Sequence, residues 1–92
     1  MAWKIEYAET AQRQLAGIDQ KVAKSIMRYL DERVATDEDP RRFGDPLKRD
    51  LSGLWKYRVG AFRIIVEIQE DRLVVLVVRI GHRRRVYGGR GH

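Results

Sequence analysis

The sequence predicts an α+β fold of order β-α-α-β-β-β, a mainly antiparallel sheet with a helical hairpin packed on one face. Three observations carry that expectation. Trp3, Ile5 and Tyr7 alternate with Lys4 and Glu6, the period-2 signature of a strand. Two apolar stripes at helical spacing follow, separated by Gly17. Three β-like runs come last, Leu54–Val59, Phe62–Gln69 and Leu73–Ile80, the first two joined by Gly60-Ala61.

Each element has its own cause. The first helix is expected over Ala8–Ala16, with Ala8, Ala11 and Leu15 on one stripe and Gly17 as its breaker. Asp19 suits an N-cap, and a second helix is expected from there to about Ala35. Val22, Ala23, Ile26, Met27, Leu30 and Val34 give it a buried face, while Lys21, Lys24, Arg28, Asp31 and Glu32 form a solvated one. Thr36–Gly53 holds both prolines and reads as a long irregular connection. Gly60-Ala61 is a Gly-X pair of the type II′ hairpin kind, and Glu70-Asp71 is the next expected turn. Residues 1–87 are read as a single domain and residues 88–92 as a flexible basic tail.

Composition narrows the function classes. At 43% hydrophobic and 35% charged residues, the chain of 92 residues has a foldable core and a crowded ionic surface. It has no cysteine, which excludes disulfides and thiolate metal sites, and its two histidines are too few for a zinc site. No apolar run reaches the ~20 residues of a membrane-spanning helix, and "MAWKIEY" lacks a signal-peptide apolar core, so the expectation is a soluble, cytoplasmic protein with no membrane partner. Charge is uneven: residues 1–40 carry a net −2 and residues 41–92 a net +8. An excess of cations confined to one half is the footprint of a polyanion-binding surface.

The hairpin locates that surface. A two-residue loop at Gly60-Ala61 pairs Val59 with Phe62, Arg58 with Arg63, Tyr57 with Ile64, and Trp55 with Val66. Trp55, Tyr57, Val59, Phe62, Ile64, Val66 and Ile68 then form one apolar face for the helices, and Lys56, Arg58 and Arg63 cluster on the other. Two arginines directly opposed cost a few tenths of a kcal/mol, roughly, so fold stability does not favour them, whereas a bound polyanion does. "LVVLVV" (Leu73–Val78) is apolar on both faces and reads as a central strand, its outward column Val74, Leu76 and Val78 lying beside Ile65 as an apolar patch for a protein partner. After Gly81, Arg83, Arg84 and Arg85 offer phosphate contacts, and Tyr87 a stacking surface for a nucleobase.

The segment "LSGLWKYRVGAFRIIVEIQEDRLVVLVVRIGHRRRVY" (Leu51–Tyr87) resembles the RelE family of type II toxin–antitoxin toxins, within the RelE/ParE superfamily. The shared pattern is Gly-Leu-Trp-basic-Tyr-Arg-x-Gly-x-x-Arg, a hydrophobic strand, then Gly-His-Arg-x-x-x-Tyr, and the preceding β-α-α agrees in order. The resemblance implies a ribosome-dependent mRNA endoribonuclease that needs no metal and no cofactor. Its reaction is attack of the ribose 2′-OH on the adjacent phosphate. It also implies silencing by a cognate antitoxin, with operator DNA met only through the toxin–antitoxin complex. The family's catalytic positions fall on Lys56, Arg58, Arg63, Arg83 and Tyr87, with RNA contacts from Lys56, Arg58, Arg63, Arg84 and Arg85.

These residue types suit phosphodiester cleavage, because preorganised cations stabilise the charge that builds on the non-bridging oxygens. Crowding by Arg58 and Arg63 favours the neutral amine of Lys56, as proton transfer requires. One departure stands out: many relatives carry lysine where this chain has Arg58, and arginine holds its proton at any working pH. Lys56 or His82 is then the base, or catalysis is mainly electrostatic and positional. Two other functions fit the same residues: a ParE-like toxin that inhibits DNA gyrase, and a non-catalytic module that docks on RNA or the ribosome.

Overall fold

A computed structural model describes residues 2–47 and 53–82. The expected order appears as β1 (Lys4–Tyr7), α1 (Glu9–Ala16), α2 (Gln20–Tyr29), β2 (Asp45–Pro46), β3 (Leu54–Val59), β4 (Phe62–Gln69) and β5 (Val74–His82). The five strands form one sheet of order β1-β5-β4-β3-β2, in which β1 runs parallel to β5 and every other pair is antiparallel. α1 and α2 cover one face. The core between them gathers Ala11 from α1, Ile26 from α2, and Tyr57, Ile64, Val66, Val75, Val77 and Ile80 from the sheet. Among the described residues no helix is long and apolar enough to cross a membrane.

Local chemistry sets the helix limits. Gly17 closes α1, its N–H donating to the Arg13 and Gln14 carbonyls. Asp19 opens α2 by accepting from the Lys21 and Val22 N–H groups at 3.1 and 3.4 Å, which satisfies two of the donors left over at a helix start. Regular α geometry ends at Tyr29 rather than near Ala35, and the chain continues as one wider π turn, Leu30–Val34, closed by the Ala35 N–H on the Leu30 carbonyl at 2.8 Å. The wider turn brings residues four apart nearly into line, so Leu30 and Val34 both reach zero exposure.

The long connection is more ordered than expected. Pro40–Phe43 forms a 3-10 turn, with Pro40 at its first position and the Asp39 carboxylate accepting from the Arg41 N–H at 3.0 Å. Gly44 then threads closely past β3: a Cβ there would sit 3.0 Å from both the Lys56 carbonyl oxygen and Tyr57 Cε1. Asp45 and Pro46 pair with Lys56 and Trp55 and end the sheet, and a proline on this short edge strand blunts further pairing.

The β3–β4 hairpin has the expected register throughout, Val59↔Phe62 to Trp55↔Val66, and Gly60 supplies its one positive φ, +59°. That places the positive angle at the first loop residue only, as a type II′ turn requires. The next turn is longer than the expected pair: Glu70–Leu73 turns the chain, Leu73 takes φ +54°, and β5 begins at Val74 and runs on to His82. A left-handed leucine costs about 1–2 kcal/mol. It is held there by the Lys4 N–H, which donates to the Leu73 carbonyl at 2.9 Å, and by packing of its side chain against the core.

Strict alternation along β5 fails at one place. A register shift between Ile65 and Val66 sets Ile65 opposite Arg79 and Val66 opposite Val77, so Val78 is the extra residue of a β-bulge. Val74 and Leu76 keep the expected outward face, opposite Gln69 and Glu67, and the correction to the expected column falls on Val78: the place beside Ile65 belongs to Arg79. The reason is burial: without the extra residue, Arg79 would point at the helices and Ile80 away from them. With it, Ile80 is 2% exposed in the core and Arg79 is exposed to solvent.

Candidate functional site

The face away from the helices carries the cations. Arg58 and Arg63 are directly opposed, and Gly81 follows in the same row on β5. The next row reads Asp45, Lys56, Ile65, Arg79 across four strands. Opposed side chains stand about 4.5–5.5 Å apart at Cβ, so the two arginines are forced neighbours. They differ in setting: Arg58 is exposed, whereas Arg63 is 9% exposed with its Nε shielded from solvent. Ile65 beneath them is also buried, at 7% exposure. The face thus offers one anchored guanidinium, one free-standing guanidinium and two further cations around an apolar floor.

The strand that presents these groups is braced from behind. The Tyr57 hydroxyl, between Lys56 and Arg58 in sequence, donates to the Pro40 carbonyl at 2.6 Å in a buried contact. Its ring packs 6.3 Å from that of Tyr29, and burial, the main cause, pushes the Tyr57 hydroxyl well above the ordinary tyrosine range. Arg41 ties the same 3-10 turn to the β4–β5 turn, pairing with Asp39 and Glu70 at 2.9 Å each, and its guanidinium lies 5.9 Å from the Trp55 ring. Backbone and ring thereby fix which way Lys56 and Arg58 leave the sheet.

Of the residues singled out from the sequence, Lys56, Arg58 and Arg63 share this face. His82 does not: it pairs with Phe62 on the helix side, their rings meeting edge-on with centroids 5.7 Å apart. There it lines an open groove of about 830 Å³ with Gln14, Ile18, Val22 and Phe62 and with its β5 neighbours Arg79, Ile80 and Gly81, while the Ile80 N–H donates to Gln14 Oε1 at 2.6 Å. Arg83, Arg84, Arg85, Tyr87 and the tail 88–92 lie outside the described residues. Two neighbours were missed. Asp45 is directly across from Lys56 in the register of the sheet edge, so a carboxylate joins the cations in that row. Arg79 joins the row through the bulge. Its signal was present in the sequence, since an arginine between Val77 and Ile80 conflicts with alternation in a buried strand.

The mixed sheet with a helical hairpin on one face is an α+β fold that solved toxins share. The fold matches the toxin–antitoxin complex RelBE2 from Mycobacterium tuberculosis, with a TM-score of 0.79 at 23% identity over 89% of this chain and 92% of that one. It also matches a mutant Escherichia coli toxin RelE in the free state, with a TM-score of 0.75 at 23% identity over 95% and 92% of the two chains. In sequence, the chain is 25% identical to Toxin RelG of Mycobacterium tuberculosis over 87 residues, 95% of this chain and 98% of that protein. It is 27% identical to Toxin RelE of the same organism over 85 residues, 92% and 86% respectively.

The family model that describes the ParE toxin of the type II toxin–antitoxin system parDE matches residues 5–87. The chain belongs to that family, a RelE-like toxin of a type II toxin–antitoxin system.

Proposed function

We propose that this toxin is a metal-independent endoribonuclease that cuts mRNA on the ribosome and so stops translation. The observation that carries the reading is the directly opposed pair Arg58↔Arg63 with Lys56 in the adjoining row. Such crowding opposes folding and is offset by a phosphate held between the guanidinium groups. In the reaction the ribose 2′-OH attacks the adjacent phosphorus and gives up its proton. The bond from phosphorus to the 5′ oxygen breaks, and that oxygen takes a proton, leaving a 2′,3′-cyclic phosphate and a 5′-OH. Arg58 and Arg63 hold the non-bridging oxygens as charge builds there. Lys56 is the amine placed to move a proton, and Arg58 contributes charge alone. Arg83 and Tyr87 complete the site by resemblance to RelE toxins, with Arg84 and Arg85 as further RNA contacts.

A cognate antitoxin is part of this reading. The solved relatives include toxin–antitoxin complexes from Mycobacterium tuberculosis, Escherichia coli and Pyrococcus horikoshii. An acidic partner laid over the cationic face neutralises it.

The test is induction of the toxin in growing cells with primer-extension mapping on translated mRNA. Cleavage within reading frames is expected for the wild type and its loss for Arg58→Ala combined with Arg63→Ala. Toxicity that survives in this variant overturns the site. The match to the ParE family model favours a second reading, inhibition of DNA gyrase. A DNA-damage response without mRNA cleavage selects it.

A further inference from the structure

The β-bulge at Val78 does more than keep Ile80 in the core. It delivers Arg79 to the cationic face, in the row Lys56, Ile65, Arg79, one row below Arg58 and Arg63. Arg79 is exposed and forms no ion pair among the described residues. The carboxylates on this face lie elsewhere. Asp45 stands beyond Lys56 at the sheet edge, Glu67 accepts from Gln69 at 3.3 Å one row down, and Glu6 pairs with Arg72 at 3.3 Å.

Spacing separates Arg79 from the Arg58–Arg63 pair in role. Lys56 and Arg79 are two strands apart, about 10 Å, with Ile65 as a low apolar floor between them. Beside Arg63 the β5 position is Gly81, which has no side chain and leaves the approach from Arg79 to Arg63 open. A polyanion that seats one phosphate at Arg58 and Arg63 therefore meets Arg79 next only if its backbone runs across the strands, from β3 towards β5.

Resting on the ribonuclease reading, we propose that Arg79 is a phosphate-binding residue that holds the RNA backbone at a phosphate neighbouring the scissile one. It takes no part in the chemical step. It fixes the direction in which the strand crosses the sheet, and the bulge exists in part to present it.

Binding of a single-stranded 2′-O-methyl RNA oligonucleotide, which has no 2′-OH to attack, isolates this contact from cleavage. Fluorescence anisotropy over a series of salt concentrations gives the slope of log affinity against log salt. Arg79→Gln is expected to weaken binding several-fold and to lower that slope by about 0.7, the share of one phosphate on a single strand. Arg79→Lys keeps the charge and retains the slope. Lys24→Gln, which removes the same charge from the exposed side of α2, leaves the slope unchanged. An unchanged slope in Arg79→Gln, an equal drop in Lys24→Gln, or a wild type that does not bind the oligonucleotide overturns the proposal. Cleavage of translated mRNA by the wild type is scored separately. Cleavage with an unchanged Arg79→Gln slope rejects Arg79 alone, and the expected slopes without cleavage reject the nuclease and keep the contact.

Discussion

The same strands build two faces that obey opposite rules. Toward the helices, Tyr57, Ile64, Val66 and Ile80 are all at or below 2% exposure, and the one buried hydroxyl among them, that of Tyr57, is satisfied by the Pro40 carbonyl. Away from the helices, the alternate residues Lys56, Arg58, Arg63 and Arg79 put four cations on three adjacent strands. One face gains from burial, about 25 cal/mol for each Å² of apolar surface removed from water. The other face repels itself, and burying much of Arg63 adds a desolvation cost. The core and the cationic face are thus separated by a single step along each strand. Substitutions one residue apart are expected to fail in different assays.

The largest effect expected is on the cationic face. On the proposed nuclease function, Arg58→Ala with Arg63→Ala removes the two groups assigned to stabilise developing charge, and removal of one such group typically slows chemistry by about 10²–10³-fold. Cleavage of ribosome-bound mRNA should fall at least that far while the thermal transition remains cooperative. Lost cleavage together with a lost transition would mean that the two faces are not separable.

The opposite break is Ile64→Ala, at the residue next to Arg63 but on the core side. A buried isoleucine cut to alanine costs about 2–5 kcal/mol, a large part of the ~5–15 kcal/mol that holds a domain of this kind. Urea unfolding should show the loss in its midpoint. Per folded molecule, cleavage should stay near wild type.

Much of this division was legible beforehand, because the hairpin was. Gly60 fixes the loop, the loop fixes the register, and the register assigns Tyr57 inward and Arg58 outward. What escaped depended on non-local contacts. The bulge at Val78 arises because β5 must serve the core on both sides of Arg79, which only the assembled sheet enforces. The ordered 3-10 turn exists because Pro40 offers a carbonyl to a tyrosine 17 residues later. His82 is a candidate base from its place in the motif, and the sheet sets it opposite Phe62 on the helix side, apart from the row of cations, which its sequence neighbours do not reveal. Leu73 was read as the first residue of a strand, and its left-handed backbone is set by the link to Lys4 at the start of the chain.

Tyr57→Phe sharpens the comparison between those extremes. It leaves the ring in the core and strands the Pro40 carbonyl, a loss of about 1–3 kcal/mol. For a domain of this size that is a drop in Tm of roughly 4–8 °C per kcal/mol, read by calorimetry. Alkaline pH acts on the same packing. Burial pushes Tyr7 up to about 12 and raises Tyr57 further, while an unfolded tyrosine ionises near 10. The unfolded chain releases these protons first, so stability is full below pH 10 and falls as pH rises toward 12. Tyr57→Phe should flatten that fall, and a denaturation series between those pH values checks the sign.

The smallest expected effect is the most direct trial of the two-face argument. Arg58 is exposed, so its replacement leaves no cavity, and its removal relieves the like charge opposite Arg63. Arg58→Gln should raise stability by a few tenths of a kcal/mol, the scale of an opposed pair in a sheet. The gain should shrink as added salt screens the repulsion in the parent protein. Cleavage should fall in the same variant. Paired chemical melts at low and high salt, with turnover measured alongside, read both quantities from one preparation. A variant that loses cleavage and also loses stability would show that Arg58 supports the sheet, and the opposed arginines would then need no bound phosphate to explain them.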